Sequence, residues 1–241
     1  MHKPAPIPAN EAARLEALRR YRLFDTAPEQ AFDDIARLAS FICNTPIAIM
    51  TLVDADRQWF KATVGLAAPQ TSREQAFCAH SIMQREMLIV EDALLDARFV
   101  NNPLVTGDPH IRFYAGAPLF TSEGFGLGTL CVIDRQPRKL SAEQTAALTA
   151  LARLVVNEME LRLVSSQLAE AAANIRTLSG LLPICAHCKG IRNDQGYWQR
   201  VEVYVGEHSQ AKFTHGICPP CLTKHFPDFV VPTRDGAESR R

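Results

Sequence analysis

Residues 46–65 read PIAIMTLVDADRQWFKATVG, two strand-like runs rich in β-branched and aromatic residues joined by the short acidic turn DAD. A connection this short joins strands as an antiparallel hairpin. That feature constrains the rest of the chain, because a hairpin with apolar residues on both faces needs further strands beside it and helices above and below. Three more segments have strand composition: MLIVEDA (87–93), RFYAGAPLFTS (112–122) and GLGTLCVIDR (126–135), with EGF turning between the last two. Helical patterns surround them. EAARLEALRRYRLF, from Glu11, is charged and amphipathic. Thr26 and Glu29 stand at capping-box spacing with Pro28 in the first turn, ahead of Phe32, Ile35, Ala36, Ala39, Ile42 and Cys43 on one helical face. REQAFCAHSIMQRE (73–86) has helical character, and LLDARFVNNPLVTGDPH (94–110) reads as a long loop with at most a short helix, the kind of segment that grips ligands. Helices flanking a mainly antiparallel meander define an α+β domain.

Composition bounds what such a chain does. The 241 residues carry 26 basic and 26 acidic side chains, so no large basic field points to nucleic acid or anionic lipid. The first ten residues, MHKPAPIPAN, lack the apolar core of a signal peptide, and no stretch approaches the run of about 18 apolar residues that spans a bilayer. The expectation is a soluble, cytoplasmic protein that binds neither nucleic acid nor membrane. Seven cysteines in a reducing compartment are expected as thiols. Cys43, Cys78 and Cys131 fall singly in apolar surroundings and read as buried free thiols, with nothing in their sequence to mark a reactive thiolate.

Ser141 and Gln144 give a second capping box, opening a helix expected to run to Ser179. Leu148, Leu151 and Val155 would pack on the sheet. Beyond them Leu154, Leu161, Leu168 and Ile175 repeat every seven residues, with Asn157, Val164, Ala171 and Leu178 in the partner positions. This seam predicts a two-stranded parallel coiled coil and hence a homodimer.

The segments LFDT (23–26), PIAIMTLVDADRQWFKATVGL (46–66), FCAHSI (77–82), RFVNNPLVTGDPHIRFYAGAPL (98–119) and LGTLCVIDRQPRKLS (127–141), in this order, resemble a bacterial GAF domain. They resemble in particular the sensory subfamily found upstream of histidine kinases and diguanylate cyclases. The resemblance implies a six-stranded antiparallel sheet between helical layers, with a small-molecule pocket on one face. Gln70 departs from the pattern, standing where an acidic residue is expected. The implied ligand-binding candidates are Phe77, Cys78, His80, Ser81, Arg112 and Tyr114. Each has a structural alternative: His80 bridging its helix to a loop, Cys78 as a packed thiol, Arg112 clamping Asp92 or Asp96, and Tyr114 or its neighbour Phe113 in the core. The ligand itself is unknown. Attachment of a tetrapyrrole is not expected, because the order Cys78-Ala79-His80 separates the thiol from the imidazole.

The tail, from LLPICAHCKG to HGICPPC (181–221), carries two Cys-x-x-Cys pairs, Cys185/Cys188 and Cys218/Cys221, with GYW between them. It resembles a short module that closes bacterial PAS, GAF and receiver-domain proteins. Four thiolates at this spacing suit a tetrahedral structural Zn²⁺, with His187 or His215 as possible substitutes for one of them. A segment with only Tyr197, Trp198, Val201 and Val205 for a core needs such a staple. A dithiol redox pair is the alternative, without the βαβ context that would make it persuasive.

The expected organisation is an N-terminal tail (1–10), a GAF domain (11–153), a coiled-coil linker helix (154–180), a zinc-ribbon-like module (181–228) and a disordered tail (229–241). The expected function is a non-catalytic sensory protein of bacterial signal transduction, in which ligand binding passes through the paired helices to the zinc module and a protein partner. The rival is a thiol-dependent redox enzyme or redox sensor using Cys78 or the Cys-x-x-Cys pairs.

Overall fold

The computed structural model describes residues 3–176, 182–193, 195–209 and 211–227. Contacts divide the chain into two compact units, Met1–Leu168 and Ala169–Arg241. The first unit begins with α1 (Glu11–Arg20), α2 (Gln30–Cys43), β1 (Ile47–Val53), β2 (Arg57–Val64) and β3 (Gln70–Ser72). It continues through α3 (Phe77–Ser81), β4 (Leu88–Val90), α4 (Pro103–Thr106), β5 (Phe113–Phe120) and β6 (Gly126–Asp134), and then enters α5 (Ala142–Arg176). The six strands form one antiparallel sheet in the order β3-β2-β1-β6-β5-β4. The α+β, six-stranded antiparallel expectation holds.

Alternation along the central strands splits their side chains between two cores, as a period of two requires. Ala48, Met50 and Leu52 of β1, with Leu130 and Val132 of β6, face α1, α2 and α5. Ile47, Ile49 and Val53, with Cys131 and Ile133, face α3 and the loop that holds α4. β5 divides likewise: Phe113 lies in the first core and Tyr114 in the second, both fully buried. The second core is the one that carries the site. Gly128 lets β1 and β6 approach, since an added Cβ would sit 1.8 Å from the Thr51 carbonyl oxygen.

Charged groups fasten α1 to the sheet. Arg14 is 1% exposed and donates to the Val53 carbonyl at 2.8 Å and to both Glu11 oxygens. Arg73 joins from the other side, donating to Glu11 and to the Asp54 carbonyl. Burial pushes the Glu11 carboxyl up, but hydrogen bonds from Arg14 and Arg73 outweigh it and bring it down to about 2.

Two local expectations change. The Thr26/Glu29 capping box does not form, and α2 starts at Gln30. Thr26 Oγ1 donates to the Leu23 carbonyl, and Lys61 Nζ donates to Thr26 Oγ1 and to Glu29, so both caps are spent on a buried ammonium. The segment 73–86 is not one helix. Arg73–Gln75 is a 3-10 turn, Ala76 is extended, and α3 covers only Phe77–Ser81. The Ser141/Gln144 box does form, with reciprocal bonds of 3.2 and 3.0 Å. Below it Leu148, Leu151, Val155 and Met159 enter the first core. Farther along, Leu161, Val164 and Leu168 are exposed, as is Leu154 on the same seam. Leu178 and the end expected at Ser179 lie outside the described residues.

The second unit contains a small hairpin, β7 (Ile191–Arg192) with β8 (Trp198–Gln199), then α6 (Val201–His208) and α7 (Pro219–His225). Gly196, at φ 88°, makes the hairpin turn that Asn193 closes through its side chain to the Tyr197 N–H. Among the described residues of this unit only Ile191 and Tyr204 are buried hydrophobics.

Candidate functional site

A cavity of about 100 Å³ lies between the sheet and α3. Its wall is mainly aliphatic and aromatic, including Ile49 of β1, Phe60 of β2 and Ile111 before β5. Its polar residues are few: Gln58 of β2, Thr71 of β3, Cys78 of α3, Asp108 in the loop after α4, Tyr114 of β5 and Cys131 of β6. Gln58 and Thr71 are cross-strand partners. Their Oε1 and Oγ1 atoms are buried and have no hydrogen-bond partner among the described residues. Each such orphan costs about 1–3 kcal/mol until something donates to it.

At the floor, the Cys78 and Cys131 sulfurs are 3.9 Å apart. The Tyr114 hydroxyl donates to Cys78 Sγ at 3.3 Å. It reaches there because residue 116 is glycine: an added Cβ would sit 2.1 Å from that hydroxyl oxygen. Thr51 and Thr129, whose hydroxyls are 3.1 Å from each other, lie behind the lining. Burial pushes the Cys78 thiol up, yet hydrogen bonds from Cys131, Thr129, Thr51 and Tyr114 together hold it below its ordinary value. The bond to Cys78, and burial after it, raise Cys131. Burial, first, and the charge of Cys78 raise Tyr114, which stays a neutral donor.

Of the six residues singled out by the GAF resemblance, Phe77, Cys78 and Tyr114 line the cavity. Phe77 stacks on Phe99 with centroids 3.9 Å apart. Ser81, the last residue of α3, is buried and donates to the Gly116 carbonyl at 3.0 Å, tying α3 to β5. His80 pairs through Nε2 with the Lys3 carbonyl and sets its ring edge-on to Phe99, outside the lining. Arg112 makes a bidentate pair with Asp92 at 2.8 and 2.7 Å, also outside the lining. Sequence reasoning missed Gln58, Thr71 and Cys131. The signal for Gln58 was present: it shares a strand face with the inward Phe60, where a polar side chain needs a reason. Gln70, the departure from the GAF pattern, accepts from Arg57, which also pairs with Asp25.

In the second unit the thiols remain two separate pairs. Backbone N–H groups of Cys188 and His187 lower the Cys185 thiol, and that of Cys221 lowers Cys218. No group of three or more metal-ligating side chains comes together among the described residues.

An antiparallel sheet with helices on both faces and a partly open cavity beside a short helix is an architecture suited to holding a small molecule. The GAF domain family model matches residues 27–159, and the chain belongs to that family. A Pseudomonas aeruginosa protein named cyclic di-GMP phosphodiesterase is 45% identical over 152 residues, 63% of this chain and 26% of that protein. The chain thus spans about a quarter of the length of that curated relative. The GAF domain of an Acinetobacter phosphoenolpyruvate-protein phosphotransferase is 17% identical over 64% of this chain and 98% of that one, with a TM-score of 0.47. Free methionine-R-sulfoxide reductase from Neisseria meningitidis is 17% identical over 70% and 99%, with a TM-score of 0.45.

The relative from P. aeruginosa corrects the expectation of a chain that is not an enzyme, because that relative carries an enzyme's name. The shared stretch is the GAF region. Among the described residues, no helix is long and apolar enough to cross a membrane.

Proposed function

We propose that the GAF unit is the regulatory sensor of a signalling protein that acts in cyclic di-GMP turnover. Its ligand would be a small, largely apolar molecule with a hydrogen-bond donor at one end. The observation that carries this reading is the pair of unpartnered buried oxygens, Gln58 Oε1 and Thr71 Oγ1, on the wall of a mainly apolar cavity. A hydroxyl could donate to Gln58 while accepting the Thr71 O–H, and an amide NH₂ could donate to both. The volume of about 100 Å³ falls well short of the roughly 300–1,000 Å³ of pockets for drug-sized ligands. A cyclic dinucleotide would not fit a cavity of that size, so on this reading the sensed molecule would differ from the nucleotide being turned over.

Output would run along α5. Its exposed Leu154, Leu161, Val164 and Leu168 support a second copy as the partner that covers them. Replacing Leu161 and Leu168 by Asp should give monomers by light scattering, and an unchanged dimer would remove this helix from the relay. The second unit would end the relay as a zinc-held module. Support comes from the Cys-x-x-Cys spacing and from backbone N–H groups that favour the thiolate at Cys185 and Cys218. Zinc would tie the sulfurs of Cys185, Cys188, Cys218 and Cys221 and supply the stability that the sparse core lacks, and the folded tail would then meet a protein partner.

The test is native mass spectrometry of the full chain beside a Gln58→Leu variant. The wild type should carry a small adduct that the variant lacks, while the ligand-free variant should be about 1 kcal/mol more stable because an unpaired acceptor has gone. An adduct of equal occupancy on both proteins would place the ligand elsewhere.

A further inference from the structure

The cavity floor holds two thiols that sequence separates by 53 residues. They come from different elements, Cys78 from α3 and Cys131 from β6, and both face the same empty volume. The third cysteine of the unit, Cys43, belongs to the core on the other face of the sheet and serves as an internal control. The two sulfurs are also unequal. Cys78 Sγ receives the Tyr114 hydroxyl at 3.3 Å, whereas Cys131 Sγ donates to the Ile49 carbonyl at 3.5 Å. Donation to Cys78 stabilises a thiolate there, and the carbonyl beside Cys131 keeps its proton in place.

We propose that Cys78 and Cys131 form a reversible dithiol switch, oxidised to a disulfide by a small hydroperoxide entering the cavity. In the first step the Cys78 thiolate attacks one peroxide oxygen, the O–O bond breaks, and Cys78 becomes a sulfenic acid. The departing oxygen leaves as hydroxide, or as alkoxide from an organic peroxide, and takes a proton to give water or an alcohol. In the second step the Cys131 sulfur, giving up its proton, attacks the sulfenic sulfur. The S–S bond forms, the S–O bond breaks and water leaves. In sum, two thiols and one hydroperoxide give one disulfide, one water and one further water or alcohol. A thiol reductant restores the pair by exchange.

Two features of the cavity select this class of oxidant. Its volume of about 100 Å³ admits a hydroperoxide with a small substituent but no large electrophile. Its orphan acceptors, Gln58 Oε1 and Thr71 Oγ1, can take the peroxide O–H. Closing the disulfide would draw α3 against β6 and pull Cys78 from Tyr114, so oxidation changes the chamber that a ligand would occupy. The switch rests on the cavity and its thiols, and it stands whether or not the donor-bearing ligand proposed above is correct.

The test uses the full reduced chain exposed to hydrogen peroxide, then denatured, alkylated with N-ethylmaleimide and mapped by peptide mass spectrometry. The expected result is a cross-linked peptide joining Cys78 to Cys131, the loss of two thiols per chain from the GAF unit, and Cys43 fully alkylated. Disulfides within Cys185/Cys188 or Cys218/Cys221 map to other peptides and do not interfere. In Cys131→Ser, a sulfenic-acid probe such as dimedone should mark Cys78; in Cys78→Ser it should leave Cys131 unmarked. Recovery of both Cys78 and Cys131 as N-ethylmaleimide adducts from the peroxide-treated wild type would overturn the switch. Dimedone on Cys131 in Cys78→Ser, or no mark on Cys78 in Cys131→Ser, would overturn the order of the steps. The wild-type map decides the first question even if a variant fails to fold.

Discussion

The two units of this chain differ in what holds them together. In the GAF unit, two apolar cores sandwich a sheet whose central strand β1 is buried along its whole length, and even its charged anchors are enclosed and paired. The tail has similar local grammar, with a glycine turn, a hairpin and two helices, but among its described residues only Ile191 and Tyr204 are buried hydrophobics. Tyr197 is 70% exposed and Trp198 55% exposed. Hydrogen bonds and turns specify local shape, but burial supplies most of the stability, so the same grammar yields a self-supporting domain only where a core backs it. On the proposed reading an outside agent would make up the difference, a metal held by the four cysteines of the tail.

Substitutions should separate the units sharply. Phe113→Ala, in the fully buried first core, should cost about 3–5 kcal/mol in denaturant unfolding of the GAF unit. A loss below about 1 kcal/mol would mean that core is looser than its burial indicates. Glu11→Gln should cost on the order of 2 kcal/mol, because it leaves Arg14 and Arg73 buried without their anion. The same carboxylate sets an acid limit. Its folded value, about 2, lies below its ordinary 4.5, so its contribution is complete above pH 4.5 and disappears as the pH falls toward 2. Acid titration of stability should show that loss in wild type and a shallower one in Glu11→Gln; parallel curves would detach Glu11 from the anchor. Trp198→Ala in the tail should change stability by less than about 0.5 kcal/mol in the metal-free protein, since that ring is largely in solvent.

The difference between the units also decided what the sequence could reveal. Strands β1, β2, β5 and β6 are legible because apolar runs with β-branched and aromatic residues, bounded by turn signals, mark them. β3 is not, since Gln70, Thr71 and Ser72 carry no such signal and pair only because β2 lies beside them. The Ser141/Gln144 cap works as its spacing requires, whereas Thr26 and Glu29 have the same spacing but turn to Lys61, a contact that no local pattern encodes. Phe77, Cys78 and Tyr114 were found at the cavity through motif resemblance. Cys131 was hidden by distance along the chain, and only the sheet register sets it beneath α3. The likeness to a protein with an enzyme's name was illegible for a different reason, because this chain spans only about a quarter of that relative's length.

Hydrogen exchange on the full chain, with and without a strong chelator, tests the division between the units most directly. The account predicts that chelation strips protection from the amides of β7, β8 and α6 and releases zinc on elemental analysis, while β1, β5 and β6 keep theirs. Tail amides equally protected in both samples, with no metal found, would contradict it.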